Sequence, residues 1–110
     1  MTFTANQIIS GLLLTIPVKI PGARIWRQNT GAAQTARGFV RFGLPGTSDL
    51  IGILPDGRFL SIEVKAGRDR LSDKQASFLA MINERGGIGI VARDVDEAIR
   101  EIRERTGATA

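Results

Sequence analysis

The 110-residue chain has no cysteine, no histidine and no tyrosine. Without cysteine, disulfides and thiolate metal centres are excluded. Without histidine, imidazole acid–base chemistry and histidine zinc sites go as well. Long apolar runs are scarce too. The first, "IISGLLLTIPVKI", is broken by Pro17 and Lys19 and is too short to span a bilayer. No basic segment and small-residue cleavage site surround it, so no signal peptide and no membrane partner are expected, and cytoplasm is the default compartment. Acidic residues are missing from the whole first part of the chain. Residues 1–48 carry Lys19, Arg24, Arg27, Arg37 and Arg41 and no acid, a charge of +5, whereas residues 49–110 carry 10 basic and 11 acidic residues. The net charge is only +4. The sequence pI of about 10.7 overstates it, because nothing titrates between the carboxylates and the lysines. A basic half beside a balanced half suits a polyanionic partner, phosphate first among them; a merely solvated surface would carry the same charges.

What is present describes a small globular domain. Hydrophobic residues make up 43% and charged residues 24%, values of a folded soluble chain, and the length allows one domain, residues 1–110, with one modest core. Thr4 with Gln7 three residues later is a helix start of the capping-box kind. Ile8, Ile9, Leu12 and Leu13 follow at helical spacing, and Pro17 and Pro21-Gly22 are expected to end the helix. "ARIWRQN" (Ala23 to Asn29) alternates as a strand. Thr30 to Ser48 reads as a long irregular stretch, of the kind that is functional or mobile in small domains. "DLIGIL" and "RFLSIEVKA" are strands joined by the turn Pro55-Asp56-Gly57. Ser72 and Gln75 form a second capping box, opening a helix that Gly86-Gly87 stops. "IGIVA" is a strand buried on both faces, and Asp94 caps a last helix whose inner stripe is Val95, Ala98, Ile99 and Ile102. The order predicts a mixed α/β sheet flanked by helices, with three antiparallel strands and a crossover helix to a fourth.

The strand "FLSIEVKAG" sets Glu63 and Lys65 on one face, with Ile62 and Val64 on the other. The hairpin brings Asp49 to the same sheet edge. Two carboxylates held close repel unless a cation lies between them, and hard oxygen donors select Mg²⁺ or Mn²⁺ over zinc. Such an ion with a lysine beside it suits phosphodiester hydrolysis. Taken singly, each residue also has a plain structural use: an edge-strand ion pair, a turn aspartate, half of a capping box.

Taken together, "GLPGTSDLIG", 13 residues between Asp49 and Glu63, "EVK", "LSDKQ", "GG" and "WRQNTGA" resemble the VRR-NUC domain of the PD-(D/E)xK nuclease superfamily, over roughly residues 4–105. The resemblance implies a restriction-endonuclease-like αβββαβ core and metal-dependent cleavage of DNA. It implies Asp49 and Glu63 as ligands of Mg²⁺ or Mn²⁺ with the Val64 carbonyl assisting, Lys65 as the catalytic lysine and Gln75 as the site glutamine. Family members often carry a glutamate in the first helix; here Asn6 or Gln7 stands at that place. Stand-alone domains of this length resemble homodimeric resolvases of branched DNA, including four-way (Holliday) junctions. A dimer also suits the apolar surplus of the first helix (Leu12, Leu13, Leu14, Ile16), and its interface is expected there or in the long loop. DNA contacts are expected to be to phosphates, from Arg27, Arg37, Arg41, Arg68, Arg70 and Lys74. Two other readings fit the same residues: a DNA-binding module on a nuclease fold with weak or no catalysis, and a protein-interaction subunit whose charged strand is an ordinary sheet edge.

Overall fold

The computed structural model describes residues 2–28, 31–36, 38–42 and 44–107. The elements run α1 (Ala5–Lys19), β1 (Arg24–Arg27), β2 (Gly31–Thr35), β3 (Gly38–Phe42), β4 (Leu50–Ile53), β5 (Phe59–Val64), α2 (Asp73–Glu84), β6 (Ile88–Ala92) and α3 (Val95–Thr106). Four strands form one sheet in the order β1-β4-β5-β6. β1 pairs antiparallel with β4 and β4 with β5, whereas β6 lies parallel to β5. The parallel step requires a crossover, and α2 supplies it. This is the expected mixed α/β sheet with its αβββαβ core.

The core lies on one face of this sheet. Leu50, Leu60, Ile62, Val64, Ile88 and Ile90 project there against Ile8, Ile9, Leu12 and Ile16 of α1 and Ala98, Ile99 and Ile102 of α3. Period-two alternation in the strands and a helical stripe in α1 and α3 meet in that layer. α2 covers β5 and β6 from the opposite face, burying Phe78 and Leu79. Gly89 permits this approach, since a Cβ there would press on the Leu79 carbonyl. β6 is an edge strand, and Asn83 blunts it by donating to the Gly89 carbonyl and accepting from the Gly89 N–H at 3.0 and 2.8 Å. Among the described residues no helix is long and apolar enough to cross a membrane.

Two expectations are corrected. The stretch read as irregular contains a hairpin, β2 with β3, paired from Gly31↔Phe42 to Thr35↔Gly38. Its first strand, "GAAQT", is small and polar and offers no alternation to read. Pro17 does not end the first helix but lies inside its last turns. Proline removes one N–H, the one that would reach Leu13, and the helix continues because Ile20 still donates to the Ile16 carbonyl at 2.8 Å.

Candidate active site

Three segments deliver the site. The first is the turn before β4. Gly46 has φ +82°, and a Cβ on it would collide with the carbonyl oxygen of Lys74 in the first turn of α2. Only glycine meets both conditions. The turn therefore lies directly against the start of α2 and sends Ser48 and Asp49 into the sheet. The second segment is the end of β5. Leu50 pairs with Ile62, which continues to Asp49 opposite Glu63. Asp49 Oδ2 accepts the backbone N–H of Val64 at 2.9 Å, fixing one carboxylate to the neighbouring strand. The third segment is the α2 N-terminus, closed by a full capping box between Ser72 and Gln75.

Glu63 is the centre of the arrangement. It is only 3% exposed. Its Oε1 accepts from Gln75 Nε2 at 3.0 Å and lies 4.0 Å from Lys65 Nζ. Its Oε2 is buried with no hydrogen-bond partner. A buried carboxylate oxygen without a partner is expensive. Burial first, and then the neighbouring Asp49 carboxylate, push Glu63 up to about 8, with Lys65 pulling the other way. Without a cation the pair favours one proton held between Glu63 and Asp49, on the side of Glu63 that no other donor reaches.

Such a donor set fits a hard divalent cation. Asp49 and Glu63 supply carboxylate oxygens, and the unpartnered Oε2 of Glu63 supplies an unused lone pair. Among the described residues no group of three His, Cys, Asp or Glu side chains gathers anywhere, so a cation here would have two carboxylates and would take its remaining ligands from amides, backbone or solvent. Charge neutralisation by the ion would remove the repulsion that now holds the proton.

Asn6 and Gln7 are both at the start of α1. Gln7 Oε1 accepts from the Thr4 N–H at 2.8 Å, and Thr4 Oγ1 accepts from the Gln7 N–H at 3.2 Å, so that amide serves its own helix cap. Asn6 Oδ1 receives Arg27 Nη2 at 3.4 Å. Arg27 pairs with Leu50, and Gln28 donates to the Asp49 carbonyl at 2.8 Å, so Asn6 stands at the same end of the sheet as Asp49. Arg27, Arg68, Arg70 and Lys74 are exposed. Arg41 belongs to β3, and Arg37 lies outside the described residues.

Three supports were not apparent from the sequence. Ser61 Oγ donates to Ser48 Oγ at 2.7 Å, and both residues are fully buried. This pair ties the residue before Asp49 to the residue two before Glu63. Strand parity was the available signal, because Ser61 shares a face with Glu63 and Lys65. Arg93, just after β6, donates to the carbonyls of Gly67 and Asp69 at 3.0 and 2.6 Å. It clamps the loop that carries Arg68 and Arg70, and no local pattern announces such a contact. Gly46 is the third, visible in sequence only as part of a turn.

No curated protein and no solved structure matches this chain. A family model does: the VRR-NUC domain matches residues 16–96, which include Asp49, Glu63, Lys65 and Gln75. The chain therefore belongs to the VRR-NUC domain family of the PD-(D/E)xK nuclease superfamily, a family of nuclease-type DNA-processing modules.

Proposed function

We propose that this protein is a Mg²⁺- or Mn²⁺-dependent, structure-selective endodeoxyribonuclease that hydrolyses phosphodiester bonds in branched DNA such as four-way junctions. The observation that carries the reading is the unpartnered, buried Glu63 Oε2 beside Asp49, with Lys65 and Gln75 on the other oxygen. Asp49, Glu63 and the Val64 carbonyl would hold the ion, which when bound stabilises charge developing on the phosphodiester. Gln75 keeps the Glu63 carboxylate turned into the site. Lys65, with 18% of its side chain exposed, is reachable from solvent and orients or deprotonates the attacking water, or holds the phosphate. Water adds at phosphorus, the P–O bond to one sugar breaks, and the departing oxygen takes a proton. Arg27, Arg37, Arg41, Arg68, Arg70 and Lys74 hold neighbouring phosphates without reading bases. A homodimer would offer one site to each of two strands; Leu12 and Ile16, expected to contribute, are wholly buried in the core, so the apolar surface that α1 offers it is that of Leu14 and Val18, 76% and 71% exposed.

A second reading is favoured by Asn6 and Gln7, amides at the head of α1 beside a site of two carboxylates: a DNA-binding module with weak catalysis. A panel of four-way junctions, flaps, nicked and plain duplexes, incubated with Mg²⁺, Mn²⁺ or chelator, separates the two. The nuclease reading expects metal-dependent nicks at branch points that Lys65→Ala abolishes. Binding to every substrate without metal-dependent cutting would leave the module.

A further inference from the structure

The face of the sheet that carries the site is only partly covered. α1 and α3 close the other face, and α2 packs over β5 and β6. Over β1, β4 and the first residue of β5 large apolar side chains stay open to solvent. Trp26 is 43% exposed, Ile53 48% and Phe59 37%. Register fixes their relation to the site. Trp26 lies opposite Ile51 and Ile51 opposite Ser61, and Ser61 shares its strand face with Glu63. The Trp26–Ile51 row therefore stands on the same face as the Asp49–Glu63 row, one pleat repeat away, about 6.8 Å along the strands. Trp26 is also displaced across the sheet, one strand from Asp49 and two from Glu63, so its Cα lies roughly 8 Å from the first and roughly 12 Å from the second, a reach of one to two nucleotide steps. Arg24, also exposed, lies two residues before Trp26 and shares this face, so the indole is bracketed by the site on one side and a cation on the other.

From this geometry we infer that Trp26 is a stacking platform for an unpaired base next to the scissile phosphate, which makes the substrate DNA with an unstacked nucleotide adjacent to the cleaved bond. The inference rests on the nuclease reading proposed above. In an uninterrupted duplex both faces of every base are occupied by neighbours, and the indole has nothing to receive. At a branch point, flap or bulge a base face is free, and stacking on an aromatic side chain is favourable whatever the base. Arg24 and the basic residues hold the flanking phosphates while the indole holds the base. Selectivity for branched DNA then follows without sequence readout.

Trp26 is the sole tryptophan of the chain, so intrinsic fluorescence reports on it alone. The test titrates the full chain, in chelator, with a short duplex and with the same duplex carrying one unpaired thymine, following indole emission and the anisotropy of a labelled DNA end. The bulged DNA is expected to quench Trp26 strongly at saturation and the plain duplex to leave it nearly unchanged. Trp26→Ala should weaken binding to the bulge about tenfold and to the plain duplex by no more than about twofold, with Trp26→Phe recovering most of the loss. Unchanged emission on saturated bulged DNA, equal losses on both DNAs, or failure to bind DNA would each overturn the inference. So would an emission shift on raising protein concentration without DNA, accompanied by a doubled mass, because a second copy would then cover the indole. Glu63-dependent cleavage with an unquenched Trp26 removes the platform alone. Quenching without any metal-dependent cleavage removes the nuclease reading alone.

Discussion

Gln75 holds the start of α2 and the Glu63 carboxylate with the two ends of one amide. Its Oε1 accepts from the Ser72 N–H at 2.9 Å and its Nε2 donates to Glu63 Oε1 at 3.0 Å. The helix cap and the site are thus one hydrogen-bonded unit. Gln75→Ala is expected to lower stability by about 1 kcal/mol through the cap and to lower metal affinity or cleavage by about 10–100-fold through the released carboxylate. Thermal melts and metal titrations measure the two effects separately. Normal metal affinity in a destabilised Gln75→Ala would confine this residue to the cap.

Glu63 gives the metal-free protein a definite pH dependence. Its folded value, about 8, lies above its ordinary value of 4.5, so the folded state holds this proton more tightly than the unfolded chain. Stability is therefore highest below about 4.5 as far as this group is concerned, and it falls as pH rises from about 4.5 to about 8. Urea unfolding in chelator between pH 5 and 9 should show the fall, and Glu63→Gln should flatten it. Ion binding must displace the same proton, so divalent affinity should climb with pH and level off above about 8.

Gly46→Ala combines a positive φ with a collision against the Lys74 carbonyl. A loss of about 2 kcal/mol or more is expected, with cleavage falling further because the turn no longer sets Asp49 beside α2. Gly57→Ala is the control. Its φ is +89° but a Cβ there meets nothing within 4 Å, so its cost should stay near 1 kcal/mol and activity should hold. Chemical denaturation of the two variants checks the contrast.

The buried Ser48–Ser61 pair should behave as a unit. Either single alanine leaves one hydroxyl buried without its partner, a cost of about 1–3 kcal/mol. The double substitution should cost less than the two singles combined. Strict additivity in a double-mutant cycle would mean that the two hydroxyls do not support each other.

Much of the framework was legible because the physics is local. Two capping boxes stand in the sequence as Thr4 with Gln7 and Ser72 with Gln75, and both form. Glu63 and Lys65 share a face by period two, and Pro55-Asp56-Gly57 brings Asp49 to them. What was not legible is non-local. Ser48 meets Ser61 across two strands, and Arg93 reaches back 26 and 24 residues to its carbonyls. Neither leaves a periodic trace. The β2–β3 hairpin was hidden because Gly, Ala, Gln and Thr show no apolar alternation. Pro17 reads as a stop, but near the end of a helix whose apolar face is buried it removes a single hydrogen bond.

Asp49 and Glu63 are proposed to hold together the ion on which cleavage depends. The most direct measurement is the initial rate of strand cleavage of a four-way junction in Mn²⁺, with wild type and Glu63→Ala side by side and folding of both verified by circular dichroism. Cleavage by the wild type should be abolished by chelator and should fall at least about 100-fold in Glu63→Ala. Cleavage by a folded Glu63→Ala at the wild-type rate would mean that this carboxylate holds no catalytic ion.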